Sequence, residues 1–178
     1  MEKRVRRSIT EYLVRWRGYF KDFESWIPAS SVKMPDQFYV TLLSNASQDL
    51  YPDNTIGAFT AELARPIHLG PNTNWEVGLC EFTCPGAIGK GVGLIYTDLI
   101  SPQFVGSSLV RCLRTYVYPS PERQRGRFEN VYYVRAEKQN IKNITIEILT
   151  LEGERVKFED SETPSRLVLH FRKVPLTW

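Results

Sequence analysis

Few side chains in this sequence are placed to do chemistry. Cys80 and Cys84 stand four residues apart with strand-type sequence between them, and Cys112 stands alone. Thiolates can be nucleophiles or zinc ligands. A zinc site would want a second cysteine pair or two histidines at short range, and His68 and His170 lack paired-ligand spacing. The run Gly86 to Gly93 encloses Lys90 and invites a phosphate-cradling role. No Ser or Thr follows that lysine, and the first glycine lies too close to it for the phosphate-loop spacing, so a flexible loop fits better. Asp98, Glu147 and Asp160 lie beside turns or alternate along strands, as solvated carboxylates do. No serine sits in a nucleophile elbow. His170, inside the run Leu167 to Phe171, is expected to be a core or interface residue. Together these positions predict no catalytic centre, no metal and no cofactor: a non-enzymatic protein without a small-molecule substrate.

The chain has 178 residues, which suits one domain or two small ones, and 42% of them are hydrophobic, enough for a core. Its net charge of +3 is too mild to indicate nucleic-acid binding by itself. The distribution is uneven. Residues 1–33 are basic through Lys3, Arg4, Arg6, Arg7, Arg15, Arg17, Lys21 and Lys33. A second basic run, Arg123-Gln124-Arg125-Gly126-Arg127, reads as a solvated loop, with salt-dependent phosphate contact as the alternative. Three cysteines without a secretory leader predict reduced thiols and an intracellular, non-secreted protein. No apolar stretch reaches the length of a membrane span.

The elements that must position these residues read as strands. Phe38 to Leu43, Ala58 to Leu63, Trp75 to Phe82, Leu94 to Ile100 and Leu109 to Tyr118 are rich in branched or aromatic residues, between clusters of turn formers. Trp75, Val77, Leu79 and Glu81 are expected on one face of their strand, with Glu76, Gly78, Cys80 and Phe82 on the other. Ile144, Ile146 and Ile148 alternate with polar neighbours. Val156 to Phe158 follows a Gly153 turn. Leu167, Leu169 and Phe171 oppose Val168 and His170. Pro66 to Asn74 reads as loop, and Ser44 to Leu63 or Gln103 to Val110 could hold a helical turn. Many short strands with Gly and Pro punctuation predict a mainly β protein, a jelly-roll-like β-sandwich. Composition shifts at Lys33-Met34-Pro35-Asp36, dividing residues 1–33 from 34–178.

Residues 1–33 carry Glu11-Tyr12-Leu13-Val14-Arg15-Trp16-Arg17-Gly18-Tyr19 and then Glu24-Ser25-Trp26-Ile27-Pro28. This run resembles part of a chromodomain, in the style of the tail of Polinton and retroelement integrases. The resemblance implies a short chromo-like β-hairpin. Trp16 and Tyr19 fall at two positions of the family's methyl-lysine cage, which works by cation–π attraction. The third aromatic and the family's closing helix have no counterpart here. The segment is either a leftover of an upstream integrase or a small module for a histone tail or DNA.

Residues 34–175 resemble the penton, or minor capsid, protein of Maverick/Polinton elements and their adintovirus relatives. The patches are Phe38-Tyr39-Val40-Thr41-Leu42 with Ser44-Asn45-Ala46-Ser47, Tyr51-Pro52-Asp53-Asn54-Thr55, and Trp75-Glu76-Val77-Gly78-Leu79. Further along come Tyr96-Thr97-Asp98-Leu99-Ile100 with Pro102-Gln103, and Leu169-His170-Phe171-Arg172. They keep the family's order. The resemblance implies a jelly-roll subunit that self-associates into a cyclic oligomer, meets a major capsid protein, and resides in the nucleus or a virus-like particle. Where the family has a longer stretch, only Thr83 to Leu94 stands here, which implies a domain shortened between 83 and 94, a degenerate copy and a roll that lacks its middle.

Overall fold

Branched and aromatic residues at period two become strands throughout, and no helix forms among the described residues. A computed structural model describes residues 3–6, 9–15, 24–28, 35–70, 74–88, 91–118, 124–159 and 162–175. Backbone contacts divide the chain into two units, Met1–Pro35 and Asp36–Trp178.

The first unit contains three antiparallel strands, β1 (Lys3–Arg6), β2 (Ile9–Arg15) and β3 (Glu24–Pro28), in the order β1-β2-β3. Leu13 pairs with Trp26 and Tyr12 with Ile27. The sequence predicts only the β2–β3 hairpin, and the extra strand is the basic run Lys3-Arg4-Val5-Arg6. Its charges hide it from a hydrophobic pattern. Trp16 and Tyr19 lie outside the described residues.

The second unit has two facing sheets. One is built from β4 (Gln37–Leu43), β6 (Asn74–Cys84) and β14 (Arg166–Val174), with β14 in the middle. Two short strands, β11 (Gln124–Arg127) and β12 (Tyr133–Arg135), share the far side of β6. The other sheet takes β5 (Ala58–His68), β13 (Asn140–Thr150), β7 (Gly91–Thr97) and β10 (Cys112–Tyr118), in that spatial order. All pairs are antiparallel. The chain crosses between the sheets as it runs from β4 to β7, and again from β10 to β14. This is a jelly roll in which β11 and β12 together fill one of the eight positions. A small hairpin, β8 (Gln103–Val105) with β9 (Ser108–Val110), projects between β7 and β10.

The interior comes from alternate residues of both sheets. Leu167, Leu169 and Phe171 of β14 are fully buried, as are Ile144, Ile146 and Ile148 of β13. Each such side chain contributes about 1.5–3 kcal/mol of burial free energy. Aromatic contacts extend the interior: Phe38 stacks on Phe171 at 4.8 Å and tilts against Trp75 at 5.6 Å. Across the layers, Phe82 meets Tyr116 edge-on at 5.0 Å.

Two expectations about faces are corrected. A bulge in β6 sets Leu79 opposite Leu169 but Glu81 opposite Val168, leaving Cys80 as the extra residue. The bulge turns Phe82 and Cys84 into the core and Glu81 outward to Arg166, 2.9 Å away. Pro66 and Ile67, expected in a loop, continue β5 past an interruption in its ladder with β13. A proline is tolerated there because no ladder hydrogen bond is required of it. Gln103 to Val110 forms a hairpin in place of a helical turn, with Gly106 at φ 61°. Asp98 to Ile100 leaves the strand. Val156 to Phe158 forms no strand: Phe158 makes an isolated bridge to Ala87, and Val156 N–H donates to Ile148 C=O at 3.0 Å.

The brief connection between β6 and β7 removes no strand. Ala87 bridges Phe158, Ile88 N–H donates to Lys157 C=O at 2.8 Å, and Glu159 N–H donates to Gly86 C=O at 2.9 Å. The eight positions of the roll are all filled, so the sandwich does not lack its middle.

Candidate functional site

Three surfaces gather the polar and aromatic groups of the sandwich. The first is the outer face of the β4–β14–β6–β12 sheet. There Tyr39, His170, Gly78 and Tyr133 form a row of successive cross-strand neighbours. Gly78 is required: a Cβ would fall 2.4 Å from Val131 Cγ1 and 3.0 Å from the Tyr133 ring. That gap lets Tyr133 reach across β6. Its hydroxyl lies 2.7 Å from His170 Nδ1, and Tyr39 stacks on the other side of the imidazole at 4.5 Å. Arg172 places its guanidinium 3.6 Å over the Tyr133 ring and pairs with Glu76 at 2.7 Å. His170 is therefore buried, and its Nε2 finds no hydrogen-bond partner among the described residues.

Burial, and then the nearby Arg172 charge, lower the His170 pKa below its usual value. Protonating the imidazole would place a cation beside Arg172 and leave an Nε2 proton without an acceptor. The unfolded chain thus takes up the proton more readily than the folded one. Stability is expected to be full above the ordinary histidine pKa and to decline as pH falls below it toward the lowered folded value. Denaturant midpoints measured from pH 7.5 to 5 should fall for the wild type. His170→Gln should flatten that part of the profile; an unchanged slope would show that other groups set it.

The second surface is the side of the sandwich where β4 and β5 are the edge strands. The loop 44–57 folds over the β5 edge and occupies its hydrogen-bonding groups. Asn54 Nδ2 donates to Thr60 C=O at 2.9 Å, and Thr60 N–H donates to Asn54 Oδ1 at 2.8 Å. Glu62 N–H donates to Ser47 Oγ at 2.9 Å, and Thr55 N–H donates to Ala58 C=O at 2.8 Å. One amide side chain thus imitates a neighbouring strand, which shields an edge from pairing with other chains. Leu43 and Leu50 are exposed on this side.

The third surface is the opposite side, where β10, β11 and β12 are the edges and the β8–β9 hairpin stands out. Phe104 and Leu109 face each other across the hairpin and are 77% and 60% exposed. Val117 and Tyr132 are exposed as well. Tyr132 Oη donates to Gln103 Oε1 at 3.1 Å. Arg114 lies 4.3 Å over the Phe128 ring, and Arg111 pairs with Glu137 at 2.7 Å.

The residues with chemical potential fall apart in space or turn inward. Cys84 and Cys112 are buried; desolvation pushes the Cys84 thiol up to about 12 and raises that of Cys112. Cys80 is half-buried, and desolvation followed by Glu81 raises its pKa. Such thiols are poor nucleophiles. No group of His, Cys, Asp and Glu able to hold a metal occurs among the described residues. Asp98 accepts from Thr145 N–H at 3.0 Å and pairs with Lys138, so its carboxylate is structural where a merely solvated one was expected. Beside it, a shallow groove lined by Tyr96, Asp98, Arg111, Thr145 and Glu147 crosses the outer face of β7 and β13. Residues 124–127, read from sequence as a loop, are strand β11. Among the described residues no helix is long and apolar enough to cross a membrane. Asn54, Ser47 and Tyr133 were not singled out by chemistry. The first two lie in turn-former clusters, and only the pairing partner reveals their purpose.

The arrangement of sheets defines the class: a jelly-roll β-sandwich whose prominent surfaces are its sides and outer sheet faces. No family of known sequences and no curated protein matches the chain. Among solved structures, the mavirus penton protein is similar, with a TM-score of 0.52 at 9% identity over 78% of this chain and 99% of that one. At that identity the likeness is one of fold.

Proposed function

We propose that residues 34–178 form a structural capsid subunit of penton type, belonging to a virus-like mobile element of the Maverick/Polinton kind. The observation that carries this reading is the filled jelly roll, whose likeness to the mavirus penton protein takes in 99% of that chain. The subunit works by binding copies of itself in a closed ring and by meeting a major capsid protein, not by catalysis. It does so within the cell, in the nucleus or in a virus-like particle. Exposed apolar side chains on its two sides support an interaction role. The rival reading, a chromatin- or nucleic-acid-binding module at Trp16 and Tyr19, rests on the resemblance of the first 33 residues alone.

Size-exclusion chromatography with light scattering on the full chain tests the proposal. Pentamers or larger closed assemblies are expected at micromolar concentration. A strict monomer across the whole accessible concentration range would overturn it.

A further inference from the structure

The two sides of the sandwich differ in charge as well as in shape. Residues 36–57, which form β4 and the loop over the β5 edge, contain Asp36, Asp49 and Asp53 and no basic residue. Asp49 and Asp53 are exposed; Asp36 is exposed too but lies 3.8 Å from the Lys173 ammonium, which offsets its charge. Residues 111–135, which form β10, β11, β12 and their connections, contain six arginines against two glutamates. Of these, Arg127 and Arg135 are exposed, Arg114 is half-buried on Phe128, and Arg111 is exposed but paired with Glu137. Exposed apolar side chains accompany the charges on each side: Leu43 and Leu50 on the acidic one, Phe104, Leu109, Val117 and Tyr132 on the basic one.

Strand order sets these two surfaces apart. β4 and β5 are the edges at one side of the two sheets, and β10 with β11 and β12 are the edges at the other. A surface that must bind its own copy through a two-fold axis has to be self-complementary. Two different, mutually complementary surfaces on opposite sides instead give a head-to-tail contact, which makes a ring where the rotation between copies closes and an open filament where it does not. Opposite charge on the two surfaces favours that contact and disfavours like-with-like pairing.

We infer that the acidic β4/44–57 side of one copy docks against the basic β10–β12 side of a second copy of this chain, with the apolar side chains at its centre. The inference rests on the assembly reading above and specifies its geometry. The contact is electrostatically assisted, so added salt weakens it.

Charge exchange in the full chain tests this. Asp49→Lys with Asp53→Lys should weaken assembly at least tenfold by light scattering, and so should Arg114→Glu with Arg127→Glu. The chain carrying all four substitutions should assemble again, because both sides are then reversed. Circular dichroism melts establish that each variant is folded. If the wild type assembles and either pair of substitutions leaves assembly unchanged, this contact is wrong while the assembly reading stands. Failure of the fourfold variant to recover, with its melt intact, also overturns the contact. A wild type that never assembles removes both.

Discussion

Phe171→Ala is expected to lower the unfolding free energy by about 3–5 kcal/mol. Phe171 lies on the central strand of its sheet and is fully buried. Its ring stacks nearly parallel on Phe38, and Phe38 in turn leans on Trp75, so truncation undercuts a three-ring cluster spanning β4, β14 and β6. The strands on both sides are held by ladders, Phe38 on one and Val77 on the other, so the backbone cannot collapse to fill the space. A domain of this size has about 5–15 kcal/mol in all. Equilibrium urea denaturation should show the midpoint falling with little change in slope. A loss under about 1 kcal/mol would mean that the cluster is not a closed interior.

Asn54→Ala carries the second large effect. The amide side chain makes two hydrogen bonds to the backbone of Thr60, one as donor and one as acceptor. Each is worth about 0.5–1.5 kcal/mol net, so a loss of about 1–3 kcal/mol is expected. The more specific consequence is at the edge of the sheet. Without the amide, Thr60 presents a free N–H and a free C=O beside an eleven-residue strand, which is a template for another chain. Asn54→Ala should therefore show concentration-dependent scattering after mild heating. Asn54→Asp keeps the acceptor for Thr60 N–H and loses the donor, so it should fall between. A variant that melts and scatters like the wild type would show that the loop merely lies against β5.

The strands with strong alternation were legible in the sequence. Ile144, Ile146 and Ile148, and the opposed pair of faces around Leu167, Leu169 and Phe171, gave the core because both strands are half-buried and their period is regular. A β-sandwich or jelly roll followed from their number and spacing, and the resemblance of residues 34–175 implied the jelly roll. What escaped had a physical cause in each case. The bulge at Cys80 adds one residue and reverses the faces beyond it, so period two misplaced Glu81 and Phe82. β11 is Gln-Arg-Gly-Arg and β12 is Tyr-Val-Arg; both are too short and too charged to announce themselves, and they are strands only because β6 offers an edge to pair with. The His170 environment depends on Tyr39 and Tyr133, 131 and 37 residues away in sequence, which no local pattern brings together. The charge contrast between residues 36–57 and 111–135 was written in the sequence throughout. It gained meaning once the strand order set the two stretches on opposite sides.

The placement of the last strand has a consequence for synthesis. β14 lies between β4 and β6, so the first sheet has a vacancy at its centre until Arg166–Val174 have left the ribosome. Pairing across such distances is slow, and incomplete chains expose apolar faces while they wait. A product terminated before Arg166 lacks the strand that joins β4 to β6, so only the β5-β13-β7-β10 sheet has all its strands. Only a chain translated past Val174 can close the first sheet of the sandwich.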